Sequence, residues 1–247
     1  MAQSHIGLDA EDENLEVSVQ RTPTVLVLDT SGSMNRKTTS SDGNEKPKID
    51  QLNNGLDLFR NEVLQQDNAA DRVDVALVEF GSDATVHQDF TNIQDWSPPK
   101  LDADGSTPMG EAIKKAIDLS EDVKDFYHQE GISYTRPLIW LLTDGKPTDM
   151  NEGDSDWTEV TEQLHVGTRD NHFLFLAMGV NGAEMDTLQS LVDGTNRPAL
   201  EMQEGMFSEY FEFISNSLEA ASREEGMADE LGDTDQHQEF VQTDTDE

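Results

Sequence analysis

Val25-Leu26-Val27-Leu28-Asp29-Thr30-Ser31-Gly32-Ser33 is the stretch that decides the fold. Four consecutive apolar residues with no polar alternation read as a strand buried on both faces, as in a parallel sheet covered by helices. The run stops at an acid and hydroxyls. It therefore delivers hard oxygen atoms to the sheet edge where open α/β proteins bind ligands. Two later segments repeat the pattern: Asp104-Gly105-Ser106-Thr107-Pro108 opens an amphipathic helix, and Leu138 to Thr143 is a second apolar strand, followed by Asp144-Gly145. Two acids and three hydroxyls make an all-oxygen cage of low charge, suited to a small hard cation such as Mg2+ with positions left open.

Strands and helices alternate outward from there. A helix is expected from about Pro47, with Ile49, Leu52, Leu56, Phe59 and Val63 on one face. Val73–Phe80 and Ala84–Phe90 flank Gly81-Ser82-Asp83, a gap that suits a hairpin and so an antiparallel edge strand. A helix starts near Pro108, buried through Ile113, Ile117, Val123 and Phe126, and precedes the strand Arg136–Thr143. Trp157–His165 reads as helix, His172–Val180 as strand, Met185–Val192 as a short helix and Pro198–Met202 as a last strand. Phe207, Tyr210, Phe211, Ile214 and Leu218 stripe a closing helix. The fold class is α/β: a doubly wound, mostly parallel sheet with one antiparallel edge strand and helices on both faces.

Asp29-x-Ser31-x-Ser33, Thr107 and Asp144 resemble the metal-ion-dependent adhesion site of von Willebrand factor type A domains. The strings DTSGSM, NNGL, PPKLDADGSTPMGEA, YTRPLIWLLTDGKPTD and EYFEFISNS look like the TerY-like branch, associated with tellurium resistance, over residues 21–222. The resemblance implies Ser31, Ser33 and Thr107 as direct hydroxyl ligands of Mg2+, with Mn2+ or Ca2+ as substitutes, and Asp29 and Asp144 often acting through water. It also implies a non-catalytic protein-binding module whose partner offers an Asp or Glu carboxylate to the metal. The company of the TerY-like branch suggests a stress-response system in which that partner is a phosphatase or kinase. Taken singly, Ser31 and Ser33 suit a polar turn and Thr107 a helix cap; the combination in order favours the cage.

Other chemistries fit less well. A metal-dependent phosphohydrolase would share the crevice, but it needs a second acid two positions after Asp29, and Ser31 stands there. There is no GxxxxGK[ST] phosphate loop, no GxSxG elbow and no HExxH. Asp149 reads as a turn residue or part of the metal rim. Trp96 and Trp157 read as packing residues, or as anchors for a partner.

The 16 basic and 52 acidic residues give a net charge of −36, and there is no cysteine. Residues 1–20 and 223–247 are acidic and read as disordered tails. Without them, residues 21–222 hold 37 acids against 15 bases and still carry −22. Nucleic acid and anionic membranes are disfavoured as partners. The lack of cysteine, of a 20-residue apolar run and of a signal pattern points to a cytoplasmic protein. Arg36, Lys37, Lys46 and Lys48 fall within one stretch after the DxSxS turn. The loop 35–47 reads as mobile, and these four cations, three within it and Lys48 just beyond its end, either are solvated or form a rim that steers an acidic partner.

Acids spread over a whole folded surface suit high salt, where the Debye length falls from about 10 Å at 0.1 M to about 3 Å at 1 M. The melting temperature at fixed Mg2+ is expected to rise between dilute buffer and molar KCl. A flat response would mean that the acidity is not an adaptation to salt.

Overall fold

The computed structural model describes residues 19–223 except Asn181. Apart from residues 19, 20 and 223, the two acidic tails expected at 1–20 and 223–247 lie outside the described residues.

The first apolar run forms β1 (Thr22–Asp29), followed by a 3-10 turn at Gly32–Asn35. A small hairpin comes next, β2 (Lys37–Thr39) with β3 (Glu45–Pro47), and then α1 (Lys48–Gln65). The stretch that reads as a loop thus forms a two-stranded ribbon with Lys37 opposite Pro47. Its lysines and threonines lack apolar alternation, so periodicity did not reveal it. The chain continues through β4 (Val73–Phe80), β5 (Ala84–Asn92), α2 (Met109–Glu130) and β6 (Leu138–Thr143). It ends with α3 (Ser155–Arg169), β7 (Leu174–Val180), α4 (Met185–Val192), β8 (Leu200–Met202) and α5 (Phe207–Arg223).

Six strands form one sheet in the order β5-β4-β1-β6-β7-β8, and only β5 runs antiparallel to its neighbour. The chain moves from β1 to β4 on one side and later places β6 on the other side of β1. The order therefore reverses at β1/β6, and the loops after these strands face one crevice.

The unbroken apolar character of β1 follows from its two covered faces. Leu26 and Leu28 enter the core layer that includes Leu52, Leu56 and Phe59 of α1 and Phe211, Ile214 and Leu218 of α5. Val25 and Val27 enter the opposite layer, with Ile113, Ala116 and Val123 of α2 and Val160 and Leu164 of α3. Gly55 lets α1 and α5 approach: a Cβ there would stand 2.2 Å from the Phe211 ring. Trp96 and Trp157 are both buried, so they pack and do not offer a surface anchor. Among the described residues no helix is long and apolar enough to cross a membrane.

At the sheet edge opposite the crevice, the buried Asp74 of β4 accepts hydrogen bonds from Tyr127 Oη (2.5 Å), Asn92 Nδ2 (3.2 Å) and Arg21 (3.4 Å). These contacts tie the end of α2 to the start of the central strands. Burial nevertheless pushes the Asp74 carboxyl above the usual aspartate range, against the lowering effect of Arg21 and the hydrogen bonds. A raised acid contributes stability that is full below the unfolded pKa and lost as pH rises through the folded one. The difference in melting temperature between Asp74→Asn and the parent should therefore shift in favour of the variant as pH rises from about 4 towards 7. A pH-independent difference would show that the Asp74 carboxylate is fully compensated.

Candidate functional site

Asp29 closes β1 and is wholly buried. Its Oδ1 accepts the Ser31 backbone N–H at 2.8 Å, and its Oδ2 accepts Thr143 Oγ1 at 2.5 Å and the Asp144 N–H at 3.4 Å. Both the turn after β1 and the end of β6 are thus hung on one carboxylate. Burial, reinforced by the nearby Asp144, outweighs these hydrogen bonds and pushes the carboxyl up to about 6.

The remaining oxygens form a chain across the crevice. Ser31 Oγ and Ser33 Oγ are 2.8 Å apart, and Ser33 Oγ donates to Asp144 Oδ1 at 2.5 Å. Thr107 comes from the loop before α2. A Cβ placed on Gly145 would lie 3.5 Å from Thr107 Oγ1 and 4.0 Å from Asp29 Oδ2. These are ordinary contact distances, and they place Gly145 beside both groups. The structure therefore brings Asp29, Ser31, Ser33, Thr107 and Asp144 to one place, all but Ser33 buried. Among the described residues no three His, Asp or Glu side chains gather into a metal-binding group; this cluster consists instead of two carboxylates and three hydroxyls.

Backbone contacts hold the cage walls. Gly32 N–H donates to Gly105 O (3.1 Å), Asp104 N–H to Thr30 O (2.8 Å) and Ser106 N–H to Gly81 O (3.1 Å). Gly81 sits where a Cβ would approach Asp104 O and Thr30 O at 2.6 and 2.8 Å. From sequence it reads only as a hairpin residue, yet it is where the β4–β5 turn, the turn after β1 and the loop before α2 meet. The loop after β6 is clasped to α2 in the same way. Thr148 Oγ1 accepts the Thr107 N–H, Thr148 N–H donates to Thr107 O, and Asp149 accepts the N–H groups of Gly110 (3.2 Å) and Glu111 (2.8 Å). Asp149 is thus more than a turn residue: it caps α2 from another loop.

The four candidate rim cations separate. Arg36 and Lys37 are exposed on the ribbon, and Lys46 pairs with Asp42 at 2.7 Å. Lys48 is neither solvated nor part of an exposed rim. It is the first residue of α1, its side chain is 3% exposed, and its Nζ lies 2.8 Å from Asp144 Oδ2. The ribbon turns the chain back to the crevice, where Lys48 N–H donates to Arg36 O. Sequence proximity placed this lysine with its neighbours; only the pairing of β2 with β3 shows that it points inward. Thr143, whose hydroxyl orients Asp29, was likewise read as part of an apolar strand.

Residues 24–146 match the family model for the von Willebrand factor type A domain. No curated protein matches the chain. Among solved structures, the pilus adhesin SpaC from Lactobacillus rhamnosus GG is similar at a TM-score of 0.59 and 16% identity, over 82% of this chain and 31% of that one. The PilB minor pilin from Streptococcus sanguinis is similar at a TM-score of 0.54 and 16% identity, over 81% and 62%. At such identities the likeness is one of fold, and the chain spans less than two thirds of the length of either protein. The matched segment runs from β1 through the turn after β6 and so includes every residue of the oxygen cluster. The chain carries a von Willebrand factor type A domain.

Proposed function

We propose that this chain is a Mg2+-dependent protein-binding module with no catalysis of its own. Domains of this family typically mediate protein interactions and are often metal-dependent. The observation that carries the reading is the convergence of two carboxylates and three hydroxyls, largely buried, at the point where the strand order reverses. This donor set fits a small hard cation: all oxygen, no thiolate or imidazole, and only two negative charges. Ser31, Ser33 and Thr107 are the proposed direct ligands of Mg2+, with Mn2+ or Ca2+ as substitutes. Asp29 and Asp144 orient the hydroxyls and balance the charge. The bound ion would supply an electrophilic position for an Asp or Glu carboxylate of a protein partner.

Arg36 and Lys37, exposed beside the cluster on an anionic molecule, are placed to speed the approach of an acidic partner segment. The TerY-like strings support a role in a stress-response system of the tellurium-resistance kind, in the cytoplasm, with a phosphatase or kinase as the carboxylate-bearing partner. A metal-dependent phosphohydrolase is the less favoured use of the crevice. The position where it needs a second acid is Ser31, whose hydroxyl is engaged with Ser33.

At free Mg2+ 100 times the dissociation constant, binding to the native state would add about 2.7 kcal/mol of stability. Asp29→Asn keeps one oxygen as acceptor for the Ser31 N–H, turns an amide N–H towards the Thr143 hydroxyl in place of the second acceptor, and removes the charge, so it should lose most of the Mg2+-dependent rise in melting temperature. Equal rises in both proteins would sink the proposed site. Hydrolysis of a phosphate monoester by the purified protein with Mg2+ or Mn2+, abolished by Asp29→Asn, would instead favour the enzyme reading.

A further inference from the structure

The metal-binding reading leaves the buried ammonium of Lys48 unused. Lysine is almost never fully buried unless paired, and taking both members of an ion pair out of water is costly. Something must therefore hold this side chain in place. The ribbon does so: Lys37 pairs with Pro47, and Lys48 N–H closes on Arg36 O, which fixes the first residue of α1 against the turn after β1. Gly182, at φ +97°, lets the β7–α4 loop close over the pair; a Cβ there would lie 3.8 Å from Lys48 Nζ and 4.0 Å from Asp144 O.

The two oxygens of Asp144 are divided between different partners. Oδ1 takes the Ser33 hydroxyl, a member of the oxygen cluster, and Oδ2 takes Lys48. A cation built into the chain thus holds half of a carboxylate that a divalent ion would draw upon. With Asp29 and Asp144 ionised, Lys48 brings the local charge from −2 to −1 before any ion arrives. In a buried site such a charge acts with little screening.

Resting on the metal-binding reading above, we propose that Lys48 is a built-in counter-cation of the site. It keeps the crevice folded when no divalent ion is bound, and it weakens the binding of that ion by competing for Asp144. By linkage, the ion must in turn loosen the Lys48–Asp144 pair to the same degree. The site is then one that fills and empties as ion concentration changes, not one that holds its metal permanently.

Mn2+ titration of the full chain, followed by the electron paramagnetic resonance signal of free Mn2+, reads the affinity directly; Mg2+ calorimetry provides a second measure. Lys48→Met keeps much of the side-chain volume without the charge. It should bind Mn2+ roughly tenfold or more tightly than the parent, and in metal-free buffer it should melt at a lower temperature, with Mn2+ restoring much of the loss. If Lys48→Met does not fold without metal, Lys48→Gln, which keeps a donor for Asp144 but not the charge, carries the same readout. Binding by the variant alone, with none by the parent, would also support the proposal. Equal or weaker binding by the variant overturns the counter-cation role and leaves the metal site standing. Absence of binding to parent and variants at millimolar Mn2+ overturns both.

Discussion

The buried carboxylate of Asp29 joins the two central strands at the crevice. It sits at the end of β1, takes the Ser31 N–H on one oxygen and the Thr143 hydroxyl on the other, and so ties the turn after β1 to the end of β6. The turn after β1 and the end of β6 are placed relative to one another by that tie. The direction in which Ser31 and Ser33 project depends on it, as does the distance from Asp144 to Ser33. Burial pushes the Asp29 carboxyl up to about 6, and the cost of that burial is what the proposed use of the site draws on. A carboxylate short of water and of a full counter-charge favours a cation more than an exposed one does. The loops around it are stitched by backbone hydrogen bonds through Thr30, Gly32, Gly81 and Gly105, so the oxygens are preorganised instead of gathered on demand.

Much of this was legible in the chain. The apolar run of β1 reads as a strand buried on both faces because neither face meets water, and the two core layers on either side of it bear that out. The helices were visible because α1, α2 and α5 each bury one face. The gap at Gly81-Ser82-Asp83 marked the antiparallel edge strand, and β5 is the only antiparallel member of the sheet. The cluster Asp29, Ser31, Ser33, Thr107 and Asp144 was legible from order and residue type, since each lies at the end of a strand, in the turn after one, or just before a helix.

What escaped the sequence depended on tertiary pairing. The ribbon β2–β3 carries no apolar alternation, so its residues look like a loop until Lys37 is seen opposite Pro47. Lys48 then changes from a solvated charge to a buried one by standing one residue beyond that pairing. Asp149 caps a helix that begins 40 residues earlier in the chain, which no local capping pattern reveals. Thr143 is hidden inside an apolar run, and its hydroxyl matters only because Asp29 lies on the neighbouring strand. In each case the side chain's role is set by what the fold brings beside it and not by its sequence neighbours.

The charge of the molecule gives the site its setting. An acidic surface repels acidic partners, so the carboxylate-bearing partner proposed above would need local positive charge where it docks, which the exposed Arg36 and Lys37 and a bound ion would supply. Crystals grown with Mn2+, with diffraction measured at the manganese absorption edge, test the central claim most directly. The account predicts one anomalous peak among Asp29, Ser31, Ser33, Thr107 and Asp144, absent in Asp29→Asn. A crevice without a peak at saturating Mn2+, or a peak only elsewhere on the acidic surface, would contradict it.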